Sequence, residues 1–156
     1  MKKSFRFAAL LLALLCLVGA LFSCGRDAAT EDFYGVVCAI DEDGSYTERD
    51  EVALYIHVYG RLPDNFITKA EAYELGWRGG GLEEYAPGKC IGGDVFNNRE
   101  GRLPEKSGRQ YFECDIGTLR KDSRGARRIV YSNDGLIFYT DDHYGSFQLL
   151  YGAKEK

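Results

Sequence analysis

The chain has 156 residues, 45% of them hydrophobic and 28% charged, and a formal net charge of −4. With 19 Gly, 3 Pro, 11 Tyr and 9 Phe, this composition excludes collagen, a coiled coil, a multipass membrane protein and a wholly disordered chain. The negative charge also argues against a protein that coats nucleic acid indiscriminately.

Residues 1–24 carry Lys2, Lys3 and Arg6 and no acid, followed by an apolar run over 7–22. A basic start and an apolar stretch too short for a bilayer-spanning helix of about 20 residues is the pattern of a secretory signal. The run ends Leu21-Phe22-Ser23-Cys24, a lipoprotein-type box in which Cys24 would be lipidated. Cleavage after Ala20, with Val18 and Ala20 as the small pair, is the competing route. Residues 1–23 are therefore expected to be a signal peptide of the lipoprotein type. The mature chain is exported, either extracellular or lipid-anchored at the outer face of the cell membrane.

Residues 24–46 read as an acidic tether. Over 25–51 there are nine acids against Arg26 and Arg49, whereas 52–156 carry fifteen charges of each sign. Within that neutral part, 98–131 hold nine Lys or Arg and five acids, so a basic stretch lies inside the domain expected at 47–156. A local field of this kind attracts a polyanion whatever the global charge.

From Thr47 the pattern turns helical. Thr47 can cap, Asp50 and Glu51 suit the first turn, Val52, Tyr55, Ile56 and Tyr59 share a face, and Gly60 ends the helix. Thr68-Lys69-Ala70-Glu71 is a capping box opening a second short helix to about Leu75. A helical turn is expected near Leu82–Tyr85, before Pro87-Gly88.

The pattern then changes to strands at 89–96, 109–116, 127–132, 136–140 and 146–151, with Asn133-Asp134-Gly135 as a hairpin signal. Helices first and a meander second predict an α+β domain, its N-terminal short helices packed on one face of a five-stranded antiparallel sheet. Alternation sends Phe112, Cys114 and Ile116 towards the helices and Tyr111, Glu113 and Asp115 the other way. In the next strand Ile129 and Tyr131 oppose Arg128 and Val130. One sheet face thus shows carboxylates and arginines together. Of the five Cys, Cys16 and Cys24 belong to the leader. Cys38, Cys90 and Cys114 form no zinc spacing, and one pair plus one buried thiol accounts for them.

Several segments resemble the barnase-type microbial ribonucleases. They are Leu62-Pro63-Asp64-Asn65-Phe66-Ile67-Thr68-Lys69, the run from Ala86-Pro87-Gly88-Lys89 to Asn98-Arg99-Glu100-Gly101, Lys106-Ser107-Gly108-Arg109, Arg128-Ile129-Val130-Tyr131-Ser132 and Asp142-His143-Tyr144. The resemblance covers about residues 50–151 in order and spacing. It implies the microbial ribonuclease fold and an extracellular endoribonuclease. Such an enzyme cleaves single-stranded RNA, preferentially after guanosine, through a 2′,3′-cyclic phosphate, with no metal or other cofactor.

Carried over residue by residue, Glu113 takes the place of the general base and His143 that of the general acid. Arg124 and Arg128 hold the phosphate, with Lys69 at the edge of the site. Phe96, Asn97, Asn98, Arg99 and Glu100 stand for the guanine-recognition loop, Tyr144 for a substrate contact. Asp94, counted with the substrate-binding set, and Asp115 are expected to orient the arginines. Asn97 stands where Ser is common. Cys90 and Cys114 occupy small-residue positions on strands expected to be adjacent, which suggests a Cys90–Cys114 bridge. Arg109 and Asp134 pair as a structural link, and His57 has a surface or packing role. The resemblance also implies a monomer and a small acidic inhibitor protein of the barstar type as partner. Membrane contact would come only through the lipid anchor. The competing reading is a catalytically silent module that binds RNA or an inhibitor on the same fold.

Overall fold

A computed structural model describes residues 29–33 and 36–153. The leader, Cys16, Cys24 and the choice between lipidation and simple cleavage lie outside the described residues. No helix among the described residues is long and apolar enough to cross a membrane.

The chain first forms a hairpin of β1 (Ala29–Phe33) and β2 (Val36–Ile40). Ile40 is buried against Leu54 and Tyr55 of helix α1 (Arg49–Tyr59). Tyr59 donates its hydroxyl to the Ile40 carbonyl at 3.0 Å and Tyr55 to that of Glu42 at 2.8 Å, while Asn65 Nδ2 donates to the Tyr46 carbonyl at 2.9 Å. Residues 40–46, read above as the end of the tether, therefore lie packed on the domain. The α1 N-cap is Glu48, without a side-chain cap, rather than Thr47. The Thr47 carbonyl instead accepts from Gly117 N–H at 2.8 Å. Gly60 closes α1 in the left-handed conformation, as its position predicts.

The main sheet has six strands, not five. Its order is β3 (Phe66–Ile67), β4 (Cys90–Phe96), β5 (Tyr111–Asp115), β6 (Arg128–Ser132), β7 (Ile137–Thr140) and β8 (Gln148–Tyr151). The added strand β3 pairs parallel to β4, Phe66 opposite Cys90 and Ile67 opposite Ile91, so the sheet is mixed. Two residues cannot show a period-2 pattern, so no alternation could reveal the strand. Helix α2 (Lys69–Glu74) forms the crossover from β3 to β4, opening with the expected Thr68–Glu71 capping box.

The helices also divide between the two faces. Val52, Ala53 and Ile56 of α1 pack on Cys114, Ile116, Ile129, Tyr131 and Ile137, the face the alternation assigned to helices. Ala72 of α2 packs with Trp77, Leu82, Ala86 and Ile91. Ile91 points opposite to Cys90 and Gly92, so α2 covers the other face at its β3–β4 end. Leu103, Tyr111, Val130, Leu136 and Phe138 form a third cluster on that second face. His57 stacks on Tyr151 with centroids 4.3 Å apart, a packing role.

A β-bulge interrupts β4. Gly92 stands opposite Cys114, but Asp94 stands opposite Glu113, leaving Gly93 unpaired at φ +95°. The extra residue reverses the alternation, so Asp94 shares the face of Glu113 instead of the core face of Gly92. Only glycine takes that backbone conformation freely.

Cys90 and Cys114 are both buried free thiols, which corrects the expected bridge. Cys114 pairs with Gly92, and Cys90 lies two residues further along β4. Diagonal neighbours in a sheet stand about 7–8 Å apart, beyond the Cα separation of about 4.4–6.8 Å that a disulfide spans.

Candidate active site

A cleft of about 430 Å³ opens on the second sheet face, between the loop after β4 and the loop after β7. Lys69, Phe96, Asn97, Asn98, Arg99, Glu100, Glu113, Arg124, His143 and Tyr144 line it, with Val95, Arg102 and Phe147. Of the expected site residues, two stand behind this surface, Arg128 and Asp94.

Glu113 is the buried carboxylate of the cleft, 8% exposed at the centre of β5. Its Oε1 accepts from Lys69 Nζ at 2.5 Å and its Oε2 from the Tyr144 hydroxyl. Burial pushes its pKa up, but the hydrogen bonds from Lys69 and Tyr144 and the charges of Lys69 and Arg124 outweigh that. The net result is a carboxyl held below the ordinary range, ionised at neutral pH. The other side of the exchange raises the Tyr144 hydroxyl, through burial first and then its bond to Glu113.

Asp94 does not meet the arginines. It accepts the Lys69 backbone N–H at 3.1 and 3.3 Å, and its Oδ2 lies 3.9 Å from Lys69 Nζ. The bulge thus sets Asp94 where it positions the lysine that touches Glu113.

Asp115 does orient both arginines. It is 1% exposed, accepts from Arg124 Nε at 2.6 Å and Nη2 at 2.8 Å, and lies 2.9 Å from Arg128 Nε, off the hydrogen-bonding direction. Arg128 is itself 2% exposed, with Nη1 donating to the carbonyls of Arg124 and Arg127. Arg124 therefore presents its charge to the cleft, and Arg128 reinforces it from below.

His143 sits exposed on the opposite rim. It and Tyr144 both have positive φ, +57° and +72°, a conformation that neither favours. The loop is held by Asp142, which accepts from Thr140 Oγ1 at 2.8 Å, Ser146 N–H at 2.9 Å and Ser146 Oγ at 2.7 Å. Those bonds, led by the Ser146 hydroxyl, pull the Asp142 carboxyl down to about 2. Thr140 Oγ1 also accepts Tyr144 N–H at 3.1 Å.

In the facing loop Asn98, at φ +44°, closes a ring with Leu103, accepting its N–H at 3.0 Å and donating to its carbonyl at 2.9 Å. Phe96 packs against Tyr144 and Phe147 at 5.3 and 6.2 Å. Arg102 was not foreseen. It pairs with Glu100 at 2.6 Å and donates to the Gly145 carbonyl, tying the two rims together. Away from the cleft, Arg109 pairs with Asp134 at 2.7 Å, the structural link expected of it.

The cleft brings an ionised carboxylate, an imidazole and an anchored guanidinium to one surface. This set can take a proton, give one and stabilise an anion between them. The family model described as ribonuclease matches residues 49–151. The chain is 57% identical over 100 residues to the ribonuclease of Heyndrickxia coagulans, covering 63% of this chain and 91% of that one. It is equally identical to the ribonuclease of Bacillus intermedius, but there the match spans 61% of the relative's length. With guanyl-specific ribonuclease St of Saccharopolyspora erythraea it shares 42% identity over 89 residues, 57% of this chain and 83% of that one. With two thirds of its length matched and the cleft residues assembled, the chain belongs to the ribonuclease family.

Proposed function

We propose that this ribonuclease domain is an endonuclease of single-stranded RNA that cuts preferentially after guanosine by transesterification. Glu113 takes the proton of the ribose 2′-hydroxyl, whose oxygen attacks the adjacent phosphorus. The bond to the 5′-oxygen breaks as His143 supplies its proton. A 2′,3′-cyclic phosphate remains, and water opens it with the two roles exchanged. Arg124 and Lys69 offset the charge of the crowded phosphorane. The 96–100 loop and Glu100 read the guanine edge, with Phe96 and Tyr144 beside it.

The observation that carries this reading is the pairing of buried Glu113 with exposed His143 across one cleft whose floor is Arg124. Export through residues 1–23, with Cys24 as lipid anchor, belongs to the same proposal. So does an acidic inhibitor protein that would occupy the basic cleft.

The test is cleavage of dinucleotides that differ in their first base, with and without chelator, the products identified by mass. The expected result is a guanosine 2′,3′-cyclic phosphate formed fastest, at a rate that chelator leaves unchanged. Equal rates with all four bases would remove the guanosine preference. Binding without turnover would favour the silent module.

Lys69 tests how Glu113 is kept ionised. In Lys69→Ala one hydrogen bond and one positive charge that hold the Glu113 carboxyl down are lost, while burial still pushes it up. The acidic limb of kcat/KM against pH therefore moves to higher pH, because Glu113 must be deprotonated to act and now holds its proton longer. A limb that stays in place would separate Lys69 from the titration of Glu113.

A further inference from the structure

We propose that Trp77 and the glycines after it are positioning residues, holding the loop between β5 and β6 so that Arg124 faces the scissile phosphate. The inference rests on the phosphate-binding reading of Arg124 given above.

The loop that carries Arg124 has no helix or strand of its own, yet its guanidinium must be held to a fraction of an ångström to be useful. Asp115 fixes two of its nitrogens. Trp77 provides a second support: Arg124 Cζ lies 5.8 Å from the centre of its ring, within cation–π range. Trp77 is 2% exposed and does not line the cleft, so it acts through Arg124 and not on substrate. Its own orientation is set on several sides. It packs with Ala72, Leu82, Ala86 and Ile91, stacks on Tyr73 at 5.3 Å, and donates Nε1–H to the Gly80 carbonyl at 3.3 Å.

The backbone after Trp77 grips the same loop directly. Gly81 N–H donates to the Asp122 carbonyl at 2.8 Å. A Cβ on Gly81 would stand 2.3 Å from the Lys121 carbonyl oxygen and 3.0 Å from Asp122 Cα, so the two backbones touch where any side chain would part them. Gly80, at φ +77°, faces the Asp122 carbonyl in the same way, with 3.3 Å to a hypothetical Cβ. The ring and the grip act on residues 121–124 together, the ring on Arg124 and the glycine backbone on Lys121 and Asp122.

Single-stranded RNA cleavage by the full chain tests the proposal, with folding of each variant checked by circular dichroism. Trp77→Leu removes the ring and is expected to lower kcat roughly 10–100-fold with a much smaller change in KM. Trp77→Phe, which keeps a ring face, recovers most of the loss. The acidic limb also moves up in Trp77→Leu, because Glu113, faced by Lys69, Tyr144 and Arg124, loses part of one cation's influence.

The deciding measurement is the double variant. In an Arg124→Ala background, Trp77→Leu should change kcat by less than about twofold, since the group it positions is gone. Gly81→Ala, which drives a methyl into the Lys121 carbonyl, gives the same dependence on Arg124 and serves if Trp77→Leu does not fold. Equal fold losses with and without Arg124 would overturn the proposal and leave Trp77 as core packing alone. If Arg124→Ala by itself leaves kcat unchanged, the reading of Arg124 fails first and takes this inference with it.

Discussion

Asp115→Asn should lower the unfolding free energy by about 3–5 kcal/mol, the cost of breaking a buried ion pair from one side. In a domain of this size such a loss lowers the melting temperature by more than about 10 °C. Asp115 and Arg128 are both almost fully buried, and Arg124 leans on the same carboxylate. Asparagine keeps the volume but removes the charge, and its amide group turns donors towards donors. Arg128 is 2% exposed, so its guanidinium charge is left without a counter-charge in the interior. Adding Arg128→Met to Asp115→Asn should restore part of the stability, because the orphaned charge leaves with its partner. Thermal or urea unfolding of the three variants measures this. A loss below about 1 kcal/mol in Asp115→Asn would mean that the pair is not the anchor of this face.

The alternation of Phe112, Cys114 and Ile116 against Tyr111, Glu113 and Asp115 is fully legible in the sequence, because a strand covered on both faces still separates its side chains by parity. The carboxylate and arginine face of the site follows from it. What escapes are features whose information lies in pairing. Strand β3 is too short for a pattern. The bulge at Gly93 moves Asp94 across the sheet, so a residue expected beside the arginines holds Lys69 instead. A one-residue change of register of that kind has no signature in composition. The same register separates Cys90 from Cys114.

The supports of the site are the other group that sequence reading missed. Asp142, Arg102 and Trp77 touch the loops of the cleft from behind or from the rim, and each looks on its own like an ordinary turn acid, surface cation or core aromatic. Asp142 could have been found as an Asx-type turn acid followed four residues later by Ser146. Arg102 and Trp77 make contacts 43 and 47 residues away along the chain, and nothing local announces them.

Glu113→Gln carries the largest expected effect on activity, a fall in kcat of about 10²–10⁴-fold with KM changed far less. Glutamine fits the site. Its carbonyl can accept from Lys69 and its amide can donate to the Tyr144 oxygen, so the lost function is proton acceptance and not shape. Two pH observations distinguish that from a disturbed fold. The residual activity of Glu113→Gln should lack the acidic limb, since the group that titrates there is gone. The stability gap should also depend on pH in a set direction. Glu113 is held below its ordinary value, so the stability it contributes is present above the unfolded carboxylate range and is lost as pH falls through the lowered folded value. The wild type and Glu113→Gln should therefore draw together in melting temperature on acidification. An acidic limb that survives in Glu113→Gln, or a kcat within tenfold of the wild type, would move the general base to another residue.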